Sequence, residues 1–231
     1  MSDDVRSYVK SSASKSQQNA SHHKIFGVVD LYVIEPLPQN VNILNVINVV
    51  EEKVPPHIAS GIEGFYIGHF KEFDKRGINA MYRDGAIYVT NDQDDEADMI
   101  DDMIHELAHA AEDLYSMEIY SDNKIQAEFL GKRRMLKNMI DKYGYLDNDP
   151  MIDFLELEYR KELDDYLYNE LGYEKLLTFT TGLFIRPYAT TGVREYFATT
   201  FEECLIGKPE YAKKISPQAY KKVMKILTRE V

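Results

Sequence analysis

A single cysteine, Cys204, and no tryptophan occur among the 231 residues. One cysteine excludes an internal disulfide, so nothing here requires an oxidising compartment and Cys204 is expected to stay reduced. Long apolar runs are missing as well. The most apolar-leaning stretch, residues 41–50, is interrupted by asparagines and is too short to cross a bilayer. Residues 1–20 are rich in Ser, Lys and Gln and contain no apolar h-region, which removes a Sec-type signal peptide from consideration. Positive charge is in deficit, with 27 Lys and Arg against 39 Asp and Glu and a formal net charge of -12. Phosphate contacts need clustered Lys and Arg, so neither nucleic acid nor a membrane is an expected partner. The expected residence is cytoplasmic or virion-associated.

With 44% hydrophobic and 29% charged residues, the composition is that of a globular chain long enough to bury a core. Residues 1–23 read as a flexible polar arm and 24–231 as one domain. β-rich runs predict strands at 25–34, 64–70 and 79–90, the last folded as a hairpin around Arg83-Asp84-Gly85. A short helix is expected over 41–53, ended by Pro55-Pro56. From Asp92 the period changes to about 3.6, and Ile100, Met103, Ile104, Leu107, Ala111 and Leu114 form an apolar stripe. Further helices are expected over 124–142, 151–171 and 193–205, with a strand-like or irregular piece at 176–185 and a last helix opened by Ser216-Pro217.

On the first of these helices stands His105-Glu106-Leu107-Ala108-His109, an HExxH motif. Histidines at i and i+4 share a helical face, so both imidazoles can reach one ion. Glu106 points beside that ion, where it can take a proton from an attacking water. Chance supplies such a motif in about one chain in a hundred of this length. Here the intervening residues are uncharged and the histidines fall off the apolar stripe, as a metal site requires and a core histidine does not. The expected fold is therefore α+β, with a small early sheet packed on a zincin-type HExxH helix and a largely helical C-terminal half. The expected function is that of a zinc-dependent endopeptidase.

Two histidines do not close a catalytic zinc site; a third protein ligand is needed, with one position left for water. Glu112 and Tyr115 stand where a metzincin carries Gly and His, and Glu112 lies roughly 10 Å along the axis from His105. Two glutamates elsewhere compete. Glu128 has a spacing common in gluzincins, although Lys132, Arg133 and Arg134 beside it suggest a solvent-facing helix with i,i+4 pairs. Glu195 opens the run EYFATTF, whose Phe197, Ala198 and Phe201 can bury that helix and turn the carboxylate toward the metal.

HELAH together with EYFATTF resembles the catalytic domain of anthrax lethal factor and its relatives, including the Pro-Pro endopeptidases. The resemblance implies Glu195 as the third zinc ligand, and Tyr188, seven residues earlier, as hydrogen-bond donor to the oxyanion of the tetrahedral intermediate. It also implies that the strand just before the HExxH helix, 86–90, pairs with an extended peptide substrate by its edge. The chain differs from that family at Thr199, where an acidic residue is common, and in its long interval between His109 and Glu195. Residues 121–175 accordingly read as a helical insertion.

The acidic run from Asp92 to Asp102 has neither the glycine nor the distal glutamate of an EF-hand loop, and fits a helix N-terminus better than a calcium site. Phe154, Leu155, Leu163, Tyr166, Leu167 and Leu171 are expected to pack inward. A different class of function also fits the sequence: a structural or assembly protein of phage virion type, carrying an HExxH metal-binding domain with little or no proteolysis.

Overall fold

Asp84 and Gly85 both adopt positive φ, 50° and 78°, the backbone a two-residue hairpin turn requires. They join β4 (Ala80–Arg83) to β5 (Ala86–Val89), so the hairpin expected over 79–90 is present. The computed structural model describes residues 21–146 and 152–229. Its fold is α+β, about 60% helical, with a small five-stranded mixed sheet. The chain divides into two compact units, Met1–Leu114 and Tyr115–Val231. No helix among the described residues is long and apolar enough to cross a membrane.

The first unit holds the sheet, in the order β1-β2-β3-β5-β4. β1 (Ser21–Ile25) and β2 (Val29–Val33) are antiparallel, β3 (Gly64–Ile67) lies parallel to both β2 and β5, and β4 is antiparallel to β5. The single strand expected over 25–34 is thus a hairpin. Phe26 and Gly27 turn the chain at φ 55° and 70°, a bend concealed in the sequence by the apolar Phe26 and Val28 on either side of the glycine. β1 also takes in Ser21, His22 and His23, the last residues of the presumed polar arm; residues 1–20 of that arm lie outside the described residues.

Register sorts the side chains by face. Leu31, Phe65 and Ile87 align across β2, β3 and β5 and are fully buried. On the opposite face His22, Tyr32, Tyr66 and Tyr88 align across four strands as a stack, with ring centroids 4.9, 5.6 and 5.4 Å apart. Phe70 closes the inner end, edge-on to Tyr88. Helix α1 (Ile43–Lys53) starts where the Asn42 side chain accepts from the Leu44 N–H, and it stops before Pro55. A 3-10 turn, Pro56–Gly61, and a short helix α2, Lys71–Arg76, ended by Gly77 at φ 63°, were not apparent from periodicity.

Helix α3 (Glu96–Tyr120) runs from the first unit into the second and is broken at Tyr115 (φ -114°, ψ 20°). Its start is capped by Asp95, whose Oδ1 accepts from the Asp98 N–H at 3.0 Å. Met99, Met103, Ile104, Leu107, Ala108 and Ala111 are fully buried, and each of the larger ones contributes about 1.5–3 kcal/mol on burial. The stripe ends there; Leu114, expected on it, is 45% exposed.

The second unit is helical. Helix α4 (Lys124–Lys142) buries Ile125, Phe129, Arg133, Leu136 and Ile140. The helix expected over 151–171 is shorter: residues 152–160 are non-helical, and only α5 (Lys161–Asp165) and a π-helical turn, Tyr166–Gly172, follow. Side chains hold this main chain out of a helix. The carbonyls of Asp153 and Phe154 accept from the Arg133 side chain, and the Leu155 N–H donates to the Asp153 carboxylate. Phe154, Leu163, Tyr166, Leu167 and Leu171 are buried as expected, whereas Leu155 is exposed. Of the strand-like or irregular piece expected at 176–185, residues 181–185 are non-helical, whereas 176–180 belong to helix α6 (Tyr173–Thr180). Its β-branched threonines are accommodated because Thr178 and Thr180 donate their hydroxyls to the carbonyls of Glu174 and Leu176.

Helix α7 (Val193–Leu205) spans the residues expected of it and packs against α8 (Pro209–Ile215), α9 (Pro217–Leu227) and α4. Tyr196, Phe197, Ala198, Thr199, Thr200, Phe201 and Glu202 are all buried, the mark of an internal helix. Phe129, Phe184 and Tyr196 meet in a ring cluster at the centre of this unit, with centroids 5.6–6.4 Å apart.

Candidate metal centre

One turn of α3 separates His105 from His109, and the imidazole centroids lie 5.0 Å apart with planes at 78°. Both rings are half-buried, beside the fully buried Ile104, Leu107 and Ala108. The Nδ1 of His109 lies 3.2 Å from the Oε2 of Glu112, which is 3% exposed. With Glu112 ionised, this bond requires the proton on Nδ1 and leaves Nε2 with the lone pair a metal takes. Glu112 therefore orients a histidine, where the sequence had only excluded it as a ligand. Its i,i+3 spacing from His109 carried that signal.

Glu106, between the histidines, is 7% exposed, and its Oε2 accepts the main-chain N–H of Tyr82 on β4 at 2.5 Å. One turn earlier on α3, Asp102 accepts from Gln93 Nε2 at 2.9 Å. Burial pushes the Asp102 carboxyl up to about 6; Asp98 and Glu106 add to the rise, while the Gln93 hydrogen bond and His105 oppose it. Ionisable side chains thus crowd two turns of one helix, an arrangement characteristic of functional sites.

In the second unit, Glu195 occupies the first turn of α7, after Gly192 in an extended conformation. The Thr199 hydroxyl donates to the main-chain carbonyl of Glu195 at 2.6 Å. At this departure from the resembled family, the side chain therefore serves the helix backbone. His105 and His109 belong to the first unit and Glu195 to the second, and each of the three residues is half-buried. Two imidazoles and one carboxylate are a donor set that suits zinc.

Glu128, the competing glutamate, is occupied elsewhere. Its carboxylate accepts the N–H groups of Gln218 and Ala219 at the start of α9, with the Tyr196 hydroxyl at 2.9 Å. It is a helix cap. Nor is α4 solvent-facing around it. Arg133 is fully buried, donating to the carbonyls of Phe154, Asp153 and Thr190 over the Phe129 ring, and burial lowers its pKa to about 10. Lys132 donates to the carbonyls of Leu183 and Ile215.

Tyr188 lies on a 3-10 turn, Pro187–Thr190, with its side chain 45% exposed. Arg133 holds the last carbonyl of that turn, a link no charge pattern in the sequence displayed. Residues 86–90 do not provide an edge for a peptide. β5 is hydrogen-bonded to β3 on one side and β4 on the other, so the outer strand next to it is β4. Burial also pushes the Cys204 thiol up to about 12, which favours the protonated thiol near neutral pH.

Comparisons with family models, with curated proteins and with solved structures find no match to this chain.

Proposed function

We propose that the chain is a zinc-dependent endopeptidase, with His105, His109 and Glu195 as metal ligands, Glu106 as general base and Tyr188 as oxyanion donor. The observation that carries this is the pair of imidazoles on one face of α3, 5.0 Å apart, with the Nδ1 of His109 3.2 Å from the buried Glu112 carboxylate. The helix-capping role of Glu128 supports Glu195 over it as third ligand. Zinc held there supplies Lewis-acid polarisation of a substrate carbonyl and acidifies water. Glu106 accepts the proton of the attacking water and returns it to the leaving amine. The Tyr188 hydroxyl donates a hydrogen bond to the oxygen on which negative charge develops.

Metal analysis of the purified protein, combined with a peptide-library cleavage screen, tests this. The expected result is one zinc per chain, lost in His105→Ala and in His109→Ala. Glu106→Gln should keep the metal and lose about 10²–10⁴-fold in turnover, since a carboxamide cannot accept the proton. Protein free of metal at micromolar zinc would end the proposal. Stoichiometric zinc without cleavage of any peptide would assign the domain to metal-dependent assembly instead.

A further inference from the structure

Among the described residues β4 is an outer strand, paired only with β5. In a two-residue antiparallel hairpin the residues flanking the turn exchange both main-chain bonds, and the next pair exchanges none. Arg83 and Ala86 flank the turn here, and Tyr82 stands opposite Ile87. The Tyr82 N–H therefore points away from the sheet, where an edge strand ordinarily offers it to water or to another strand. It meets the Oε2 of Glu106 at 2.5 Å, and that carboxylate is almost fully buried. A bond from a main-chain N–H to an ionised carboxylate in a dry setting is short and directional.

We infer that the main-chain amide of Tyr82 is a positioning group for Glu106; the inference rests on the peptidase proposal for what Glu106 does. The amide pins one carboxylate oxygen to β4 and so fixes the rotation of the whole group. The position of the second oxygen relative to His105 and His109 is then set by the hairpin rather than by a free side-chain torsion. A general base works only within hydrogen-bond reach of the proton it takes, so this anchoring acts on turnover more than on binding. It also closes the edge of β4 at Tyr82, because that N–H is already used.

Two measurements on the full chain test this. Amide exchange followed by NMR should find the Tyr82 N–H protected, with protection falling at least tenfold in Glu106→Ala while the Met81 and Arg83 amides of the same strand keep theirs. Turnover should then be compared in two donor deletions. One replaces the Tyr82 amide by an ester with the side chain retained. The other is Tyr82→Pro, tolerable on an edge strand whose N–H faces away from its partner. Both should keep zinc stoichiometry and KM and lose about tenfold or more in kcat. Unchanged Tyr82 exchange in Glu106→Ala, or wild-type kcat in the folded ester variant, overturns the inference. A wild-type protein that binds no zinc or cleaves nothing ends the peptidase proposal and the catalytic half of the inference together, while the exchange result still decides the contact itself.

Discussion

Helices α3 and α4 both take charge out of water, and they dispose of it differently. On α4, the three charged groups drawn inward, Glu128, Lys132 and Arg133, bond mainly to main chain. Arg133 donates to the carbonyls of Asp153, Phe154 and Thr190, Lys132 to those of Leu183 and Ile215, and Glu128 receives two N–H groups of α9. On α3, Glu106 also reaches main chain, at the Tyr82 N–H, but His109 meets Glu112, and Asp102, raised chiefly by burial, also feels Asp98, Glu106 and His105. The difference teaches that buried charge is not itself a sign of chemistry. Charges spent on carbonyls and N–H groups hold segments in place. Charges of mixed sign gathered on a few turns cost stability, and they are retained where something is to be bound or a proton moved.

The sharpest way to break this contrast is Arg133→Met. It leaves three carbonyls without their donor and should cost about 3–5 kcal/mol in urea denaturation, with zinc content of the folded fraction unchanged. A loss below about 1 kcal/mol would mean that water replaces the guanidinium, and α4 would no longer count as structural.

The two glutamates come next. Glu195→Ala should weaken zinc binding by on the order of a hundredfold in calorimetric titration and leave the denaturation midpoint nearly unmoved. Glu128→Ala should do the reverse, uncapping α9 at a cost of about 1–2 kcal/mol while zinc affinity stays the same. Exchanged outcomes would make Glu128 the ligand.

Asp102 offers a test by pH. Its folded pKa, about 6, lies above the ordinary 3.8, so its stabilising contribution is complete below 3.8 and is lost as pH rises through 6. In zinc-free protein Asp102→Asn, which keeps an acceptor for Gln93, should be about 1–3 kcal/mol more stable than wild type at pH 7.5 and equal to it at pH 3.5. A constant difference across that range would refute the burial of a titrating carboxyl.

The smallest effect concerns Thr199. Because its hydroxyl serves the Glu195 carbonyl, Thr199→Val should cost about 0.5–1 kcal/mol in stability and change zinc affinity less than about threefold. A tenfold loss of zinc affinity would make Thr199 an orienter of the ligand after all.

The parts of the site legible in sequence are those written on one helix. HELAH declares its own geometry because i and i+4 must share a face, and α7 was legible end to end because Val193 to Leu205 is bounded by Gly192 and filled with residues that bury. Glu112 was equally local, but a search for ligands passes over a residue whose work is to orient one. Other features were illegible for physical reasons. The Tyr82 amide has no side-chain signature, and only the turn at Asp84-Gly85 decides which way it points. Lys132 and Arg133 read as solvent-facing by residue type, although Arg133 falls on the stripe of Ile125, Phe129, Leu136 and Ile140, because their partners are carbonyls far along the chain. The threonines of α6 favour a strand by propensity, and hydroxyl bonds to the preceding turn outweigh that preference.

The ring stack on the sheet has an optical consequence. With 17 tyrosines and no tryptophan, the near-ultraviolet absorption of the protein is almost wholly phenolic. Tyr32, Tyr66 and Tyr88 lie nearly parallel at 5.4–5.6 Å, on three neighbouring strands and in register. Chromophores so close and so oriented share their excited states and give a circular dichroism signal that isolated phenols do not. Since the rings stand on separate strands, a slip of one residue between any two would turn one of them to the other face and extinguish the coupling. The sheet thus contains its own spectroscopic gauge of strand register, readable without a label.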